Sequence, residues 1–353
     1  MGKKAIYKYF SFMLLVVTLL MTIFTILGIF GGHADPTVST ALAMIVYVLP
    51  FLILGDIVLL IIWLIKRRWL WATMPALALL CSINYMGTIY QPQLFSSGKG
   101  TSHGLNVATY NVAAFGREAS GFKAEDILSE MKKQQVDILC MQEYLNTSGD
   151  KLNSDSYKVY FKHMAVGRND MVIYSRYPIK ETKTIDFGPG TNNSAMWADV
   201  DVNGKTIRVV NAHLETTGFN RTLYHAAKNK VQGIPIQENA LIRSIYGNYT
   251  MGMTRRAGQA KMVAEEINKS VNPVIVCGDF NDVPYSYVYN MMLGNLSDGF
   301  KECGEGLMNT FRGKKAVRID YIFHDKSLIG KRYYKKELSY SDHYPVFMQL
   351  HIK

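Results

Sequence analysis

Apolar positions are spread unevenly along this chain, and the unevenness divides it. Three stretches, Tyr9 to Phe30, Ala41 to Ile65 and Trp69 to Tyr90, are almost free of charge. Each is long enough to cross a hydrocarbon core of about 30 Å. The first is longer than a signal-peptide core, lacks a small-x-small cleavage site and is followed by two more spans, so it reads as retained. After Tyr90 the pattern changes to short apolar runs and helical spacings broken by polar turns, which predicts an α/β domain.

Strands are predicted at Leu105 to Val112, Val136 to Met141, Tyr157 to His163 and Met171 to Tyr174. Met196 to Val202 and Lys205 to Val210 flank Asn203-Gly204, a strong hairpin signal. Further strands are expected at Pro273 to Cys277, Val317 to Phe323 and Tyr344 to Ile352. Helical spacing marks Ala124 to Lys133 and Gly258 to Ile267. Strands outnumber helices, which favours packed sheets flanked by helices over one doubly wound sheet. Glu215 to Arg256 reads as an insertion that is locally basic, with six Lys/Arg and two Glu. It reads equally as a wall for substrate or membrane and as a solvated helical excursion.

Charge placement adds a topology. Lys3, Lys4 and Lys8 precede the first span, and Lys66, Arg67 and Arg68 join the second to the third. The loop from Gly31 to Thr40 has no Lys or Arg. Basic segments stay cytoplasmic, so three crossings put everything after Tyr90 on the far side of the membrane, periplasmic or extracellular. Residues 1–90 are then a membrane anchor, 91–103 a linker with Ser96-Ser97-Gly98 at its heart, and 104–353 a catalytic domain. The net charge of +11 falls to a modest excess without those six residues, so charge alone does not argue for nucleic acid. Asp56 lies inside the second span, where an ionisable group marks either a functional path or a packing contact. The four cysteines form no CxxC pair, which indicates neither a zinc site nor a disulfide framework.

Candidate chemistry sits at the ends of the predicted strands. The strings are Tyr110-Asn111, Gln142-Glu143, Asn211-Ala212-His213-Leu214, Gly278-Asp279-Phe280-Asn281, Arg318-Ile319-Asp320-Tyr321 and Ser341-Asp342-His343-Tyr344-Pro345. Carboxylates, amides and imidazoles gathered in this way suit metal-assisted phosphate ester hydrolysis. A cation, an imidazolium and an arginine would offset the repulsion between a phosphodiester and hydroxide, while one carboxylate free of metal takes the water's proton.

In this order the motifs resemble the endonuclease/exonuclease/phosphatase superfamily, over about Gly104 to Lys353. The resemblance implies a four-layer α/β sandwich of two packed sheets covered by helices (DNase I-like). It implies Mg²⁺, with Mn²⁺ as a substitute, held by Glu143 with Asn111 and Asp342. It makes Asp279 the base for the attacking water, Asn281 its orienting amide, and His343 with Asp320 the imidazole pair at the scissile phosphate. His213 becomes the second histidine, at the phosphate or the leaving group. Asn111 also supports the phosphate, and Arg168 is the candidate phosphate-binding arginine.

The expected function is phosphodiester hydrolysis of the nuclease type. A lipid-headgroup phosphodiesterase of the sphingomyelinase type is the first alternative, and a non-catalytic phosphate-ligand-binding membrane protein the second. The expected partner is a phosphodiester, from nucleic acid or a phospholipid headgroup, with no protein partner.

Overall fold

The computed structural model describes residues 3–92, 104–113, 124–144, 154–168, 171–217, 228, 232, 238–312 and 317–352. It divides into two compact units, Met1–Thr88 with Pro284–Asn290, and Ile89–Val283 with Met291–Lys353. Apart from Gln91 and Pro92, the expected linker lies outside the described residues.

In the first unit the expected first span is one continuous helix, α1 (Lys3–Gly31). The second is broken into α2 (Thr40–Met44), a 3-10 turn and α3 (Leu49–Ile65), bent by 62°. Pro50 stands in the first turn of α3, where its missing N–H costs nothing and fixes a new helix start. The third breaks at Ser82 between α4 (Trp69–Cys81) and α5 (Ile83–Ile89), bent by 51°. Among the described residues one helix is long and apolar enough to cross a membrane, or up to three if each bent pair is a single span. Large apolar side chains point outward, with Phe10 65% and Phe51 71% exposed.

The inward face of α1 is a row of threonines, Thr18, Thr22 and Thr25, all buried. Thr25 Oγ1 donates to Asp56 Oδ2 at 2.5 Å, and Trp63 Nε1 donates to Thr18 Oγ1 at 2.9 Å. Asp56 therefore has a polar partner on another helix that its own segment did not reveal.

The second unit is two mixed six-stranded sheets flanked by helices. One sheet has the order β10-β12-β9-β8-β7-β6, with β6 Ile179–Asp186, β7 Ser194–Val202, β8 Lys205–His213, β9 Val274–Asp279, β10 Ser297–Asp298 and β12 Asp320–His324. The other runs β13-β14-β2-β3-β5-β4, with β2 Leu105–Asn111, β3 Ile138–Gln142, β4 His163–Val166, β5 Val172–Ser175, β13 Leu328–Lys335 and β14 Val346–Ile352. A short pair, β1 (Tyr90–Gln91) with β11 (Gly306–Leu307), stands apart. Side chains from both sheets share one apolar core, including Val107, Ile138 and Ile173 from one and Val209, Ile275 and Ile322 from the other. Cys140 and Cys277 lie in it as free, buried thiols, behaving as small hydrophobes.

The outer face of the second sheet carries the helices Ala124–Lys133 and Ser154–Phe161, through Ile127, Leu128, Met131, Tyr157 and Phe161. The strand expected over Tyr157 to His163 is thus mostly helix. Tyr157 and Phe161 are buried four residues apart with Val159 exposed between them, a helical period and not an alternation. The helix expected over Gly258 to Ile267 runs without interruption from Glu238 to Asn268, so the latter part of the expected insertion is its N-terminal half. Residues 218–227, 229–231 and 233–237 of that insertion lie outside the described set.

The short β1, β10 and β11, most of β4, and the two long strands β6 and β13 were not predicted; the last two share a reason. Both are sheet edges, and their sequences, IKETKTID and LIGKRYYK, carry the charges that protect an edge from pairing.

Candidate active site

Each sheet contains one parallel pair, β2 with β3 and β8 with β9. Parallel strands end on the same side, so each pair delivers two polar side chains to one edge. Asn111 is paired in register with Gln142, and His213 with Asp279. The antiparallel neighbours contribute their beginnings instead. Asp320 opens β12 directly opposite Asp279, and His343 stands three residues before β14, which pairs with β2. Six strands from two sheets therefore supply one cluster.

Asp279 is its centre and is buried. Its Oδ2 accepts from Asn111 Nδ2 at 3.0 Å and its Oδ1 from the Asn281 backbone N–H at 2.8 Å. Asn281 Nδ2 reaches the Leu214 carbonyl at 2.9 Å, tying this turn to the strand end that carries His213. The other amide contact of Asn111 is Glu143 Oε1, 3.1 Å away. One amide therefore holds both carboxylates. His213 Nε2 lies 3.6 Å from Glu143 Oε1 and 3.9 Å from Asp279 Oδ2.

The other half is a histidine between two carboxylates. His343 Nδ1 lies 2.9 Å from Asp320 Oδ2, and its Nε2 lies 3.6 Å from Asp279 Oδ2. Burial of His343 works against its charge. The carboxylates of Asp320 and Asp279 outweigh burial, and its pKa rises from 6.5 to about 10. Burial raises the Asp279 carboxyl from 3.8 to about 6, with His343 pulling the other way. The two groups are thus set apart as a neutral-range base beside a charged imidazolium.

Backbone geometry holds these ends in place. Glu143 has φ 54° and Asn281 has φ 51°, the left-handed region that side chains seldom occupy. Gly278 has φ 142°, and a Cβ there would lie 1.9 Å from the Ala212 carbonyl oxygen. Only glycine permits the close approach that puts Asp279 beside His213.

The donors suit a hard divalent cation. Carboxylate and amide oxygens are what Mg²⁺ or Mn²⁺ prefers. Glu143 is 41% exposed, with Oε1 drawn toward Asn111, so it is accessible to an ion. Among the described residues, Asp279, Asp320 and His343 also bring one ligand atom each within 4.8 Å of one another. Their spacing is that of a protonated imidazole shared between acids, with Nδ1 hydrogen-bonded to Asp320. Glu143 is the better ion ligand for that reason.

Two expected residues are exposed. Arg168 is exposed and its guanidinium pairs with Asp186. The Asp342 side chain is exposed, and the residue enters the site through its backbone, whose carbonyl accepts from Arg312 N at 2.7 Å.

Several residues to which the sequence assigned no role bind the cluster together. Ser341 Oγ donates to the Asn111 carbonyl at 2.7 Å and accepts from His343 N at 3.1 Å, joining the two halves. Thr310 Oγ1 accepts from the backbone N–H groups of Ile319 and Asp320. Beneath the site, Gln142 Nε2 donates to Asn211 Oδ1 at 2.6 Å, and Asn211 Nδ2 donates to the Met141 and Val172 carbonyls. This buried amide pair bolts one sheet to the other. Its signal in the sequence was polarity at positions the strand pattern marks as buried. Phe311 forms an isolated bridge with His343 and packs edge-on against its ring at 5.2 Å.

Two packed mixed sheets with carboxylates, amides and imidazoles at their common edge define a phosphoesterase-type protein. Residues 108–343 match the model of the Endonuclease/Exonuclease/phosphatase family, and the chain belongs to that family, whose members are phosphoester hydrolases. Residues 11–89 match a domain of unknown function. No curated protein matches the chain in sequence.

Similar solved structures include humanized D. rerio TDP2 bearing 14 mutations, with a TM-score of 0.52 and 17% identity over 70% of this chain and 99% of that one. An endonuclease/exonuclease/phosphatase from Bacteroides vulgatus gives 0.52 and 18%, over 71% of this chain and 100% of that one. The human Nocturnin catalytic domain with bound sulfate gives 0.50 and 17%, over 71% and 95%. At these identities the likeness concerns the fold.

Proposed function

We propose that this protein is a membrane-anchored, divalent-metal-dependent phosphodiesterase with nuclease-like action. The observation that carries the reading is Asp279, a buried carboxyl near pKa 6 held by Asn111 and Asn281 beside the charged His343. Glu143 would hold Mg²⁺ (or Mn²⁺), with Asp342 beside it and Asn111 orienting Glu143. When bound, the ion would polarise the phosphoryl oxygen and acidify water. Asp279 takes the proton from the attacking water as the new P–O bond forms. His343, oriented by Asp320, donates to a phosphoryl oxygen, and His213 supplies a proton to the departing alkoxide as the old P–O bond breaks.

A nucleic-acid substrate has support in one relative, D. rerio TDP2, solved with a single-strand DNA product. The outward apolar side chains of the first unit support membrane anchoring and keep a lipid headgroup as the alternative substrate. The anchor is α1, with α2–α3 and α4–α5 as the second and third spans of an inner-membrane protein whose catalytic unit faces the periplasm or exterior.

The test uses the full chain in detergent or nanodiscs with Mg²⁺, offered single-stranded and duplex DNA, RNA, sphingomyelin and inositol phosphates. Turnover of a nucleic acid that disappears with EDTA and in Asp279→Asn supports the reading. Turnover of sphingomyelin alone selects the lipid alternative. Bound Mg²⁺ with no turnover of any substrate overturns the catalytic reading in favour of a phosphate-binding protein.

A further inference from the structure

A phosphodiester approaching this site meets Glu143, Asp279, Asp320 and Asp342, and must find compensating cations. The arginine expected from the sequence already has an acidic partner. Arg168 faces Asp186, and a substrate phosphate would have to compete with that carboxylate. Other arginines of the catalytic unit behave in the same way: Arg176 faces Asp137, Arg208 faces Asp199 and Arg318 faces Asp298.

Arg312 is different in both place and partner. Its backbone N–H donates to the Asp342 carbonyl, and its Nη1 donates to the Ser341 carbonyl at 2.8 Å. Both contacts are with the loop that carries His343. Its chain neighbour Phe311 packs on His343 itself. Arg312 is exposed, and a neutral carbonyl holds its guanidinium where those four arginines have a carboxylate. One N–H fixes its position, and its fork has others with which to meet a second ligand. A planar fork with undiminished charge suits two phosphate oxygens. The Tyr344 ring, 5.7 Å from the guanidinium carbon, adds an aromatic wall beside it.

We propose that Arg312 is the residue that binds a phosphate group of the substrate beside His343, in the place the sequence assigned to Arg168. This rests on reading the site as a phosphoesterase. The role is ground-state binding and charge compensation. Substrates with a phosphate on the His343 side would be selected over uncharged esters.

The experiment compares the full-length wild type with Arg312→Gln, Arg312→Lys and Arg168→Gln in detergent, each checked for a normal melting transition. Inorganic phosphate is titrated against each by thermal shift, which needs no turnover. In parallel, KM and kcat are measured on whichever phosphodiester the wild type hydrolyses. A lost charge-assisted contact is expected to weaken phosphate binding and raise KM about 10- to 100-fold in Arg312→Gln, with kcat changed less than about threefold. Arg312→Lys should recover part of the loss. Equal phosphate binding by wild type and Arg312→Gln, or a wild type that binds no phosphate, overturns the proposal. So does a loss confined to Arg168→Gln. Turnover with an unchanged KM in Arg312→Gln would sink this proposal and leave the phosphodiesterase reading standing.

Discussion

Asn111 Nδ2 donates to Asp279 Oδ2 across 3.0 Å, joining strand ends from two different sheets and 168 positions apart in the chain. The same amide holds Glu143 at 3.1 Å, so it fixes the distance between the expected ion ligand and the expected base. A donor aimed at a buried carboxylate favours its ionised form.

Replacing Asn111 by Ala removes that donor from Asp279. The carboxyl, already near 6, should rise further because burial is then less opposed. The acidic limb of kcat/KM is expected to move to higher pH, and activity at neutral pH to fall about 100-fold. A pH–rate profile checks this. An unmoved limb would show that Asn111 does not support the base.

His343 and Asp320 give a second, sharper case. Asp320→Asn removes the charge that outweighs burial, so the imidazole pKa must fall from about 10. NMR of the imidazole in EDTA reads it directly, free of metal effects. The sign for stability follows. A folded pKa above 6.5 contributes stability that is full below pH 6.5 and lost as pH rises toward 10. The wild type should therefore lose its advantage over Asp320→Asn across that window. An imidazole pKa unaltered by the substitution would refute the pairing.

Glu266 predicts the opposite trend at acid pH. It accepts from Lys269 and Lys183, and from Trp197 Nε1 at 3.2 Å, and these contacts hold its carboxyl at about 2 instead of 4.5. A depressed pKa contributes stability above pH 4.5 that disappears as pH falls to about 2. The two lysines are more than half exposed, so solvent reduces the effect to about 1–2 kcal/mol. Urea unfolding of wild type and Glu266→Gln at pH 7 and pH 3 measures it. The gap should narrow at the lower pH, and a gap independent of pH would reject the ion pairs as its source.

The strands that build the site were legible because a buried run ending in a polar residue is an unusual pattern, and Asn111, Glu143, His213 and Asp279 each close one. The edge strands β6 and β13 were hidden because exposure on one side replaces apolar alternation with Lys, Glu and Thr. Ser154–Phe161 was misread because Tyr157 and Phe161 are too few to fix a period of 3.6 against 2. The N-terminal half of the long helix matches the solvated helical excursion given as one of two readings of that segment, and its bounds were not legible because Gly247 and Gly252 weaken its helical signal. Which arginines pair with carboxylates was beyond the sequence, since it depends on where Asp186, Asp199 and Asp298 fall in space. Ser341, by contrast, lay in a string already marked, and only its hydroxyl geometry was missing.

Gly278 tests whether close strand approach or the carboxylate itself sets the site. A methyl group there would lie 1.9 Å from the Ala212 carbonyl oxygen, and φ 142° excludes an easy refit. Gly278→Ala must push β8 from β9, and with it His213 from Asp279, its register partner. Stability should fall by about 2–4 kcal/mol, and activity should fall with it although no catalytic side chain is altered. Gly258 is the counterpart. It sits exposed in the middle of a helix with nothing within 4 Å of an added Cβ, so Gly258→Ala should stabilise by about 0.5–1 kcal/mol. Chemical unfolding and turnover measured on both variants decide the matter. If Gly278→Ala is as stable and active as Gly258→Ala, strand approach is not what brings His213 to Asp279.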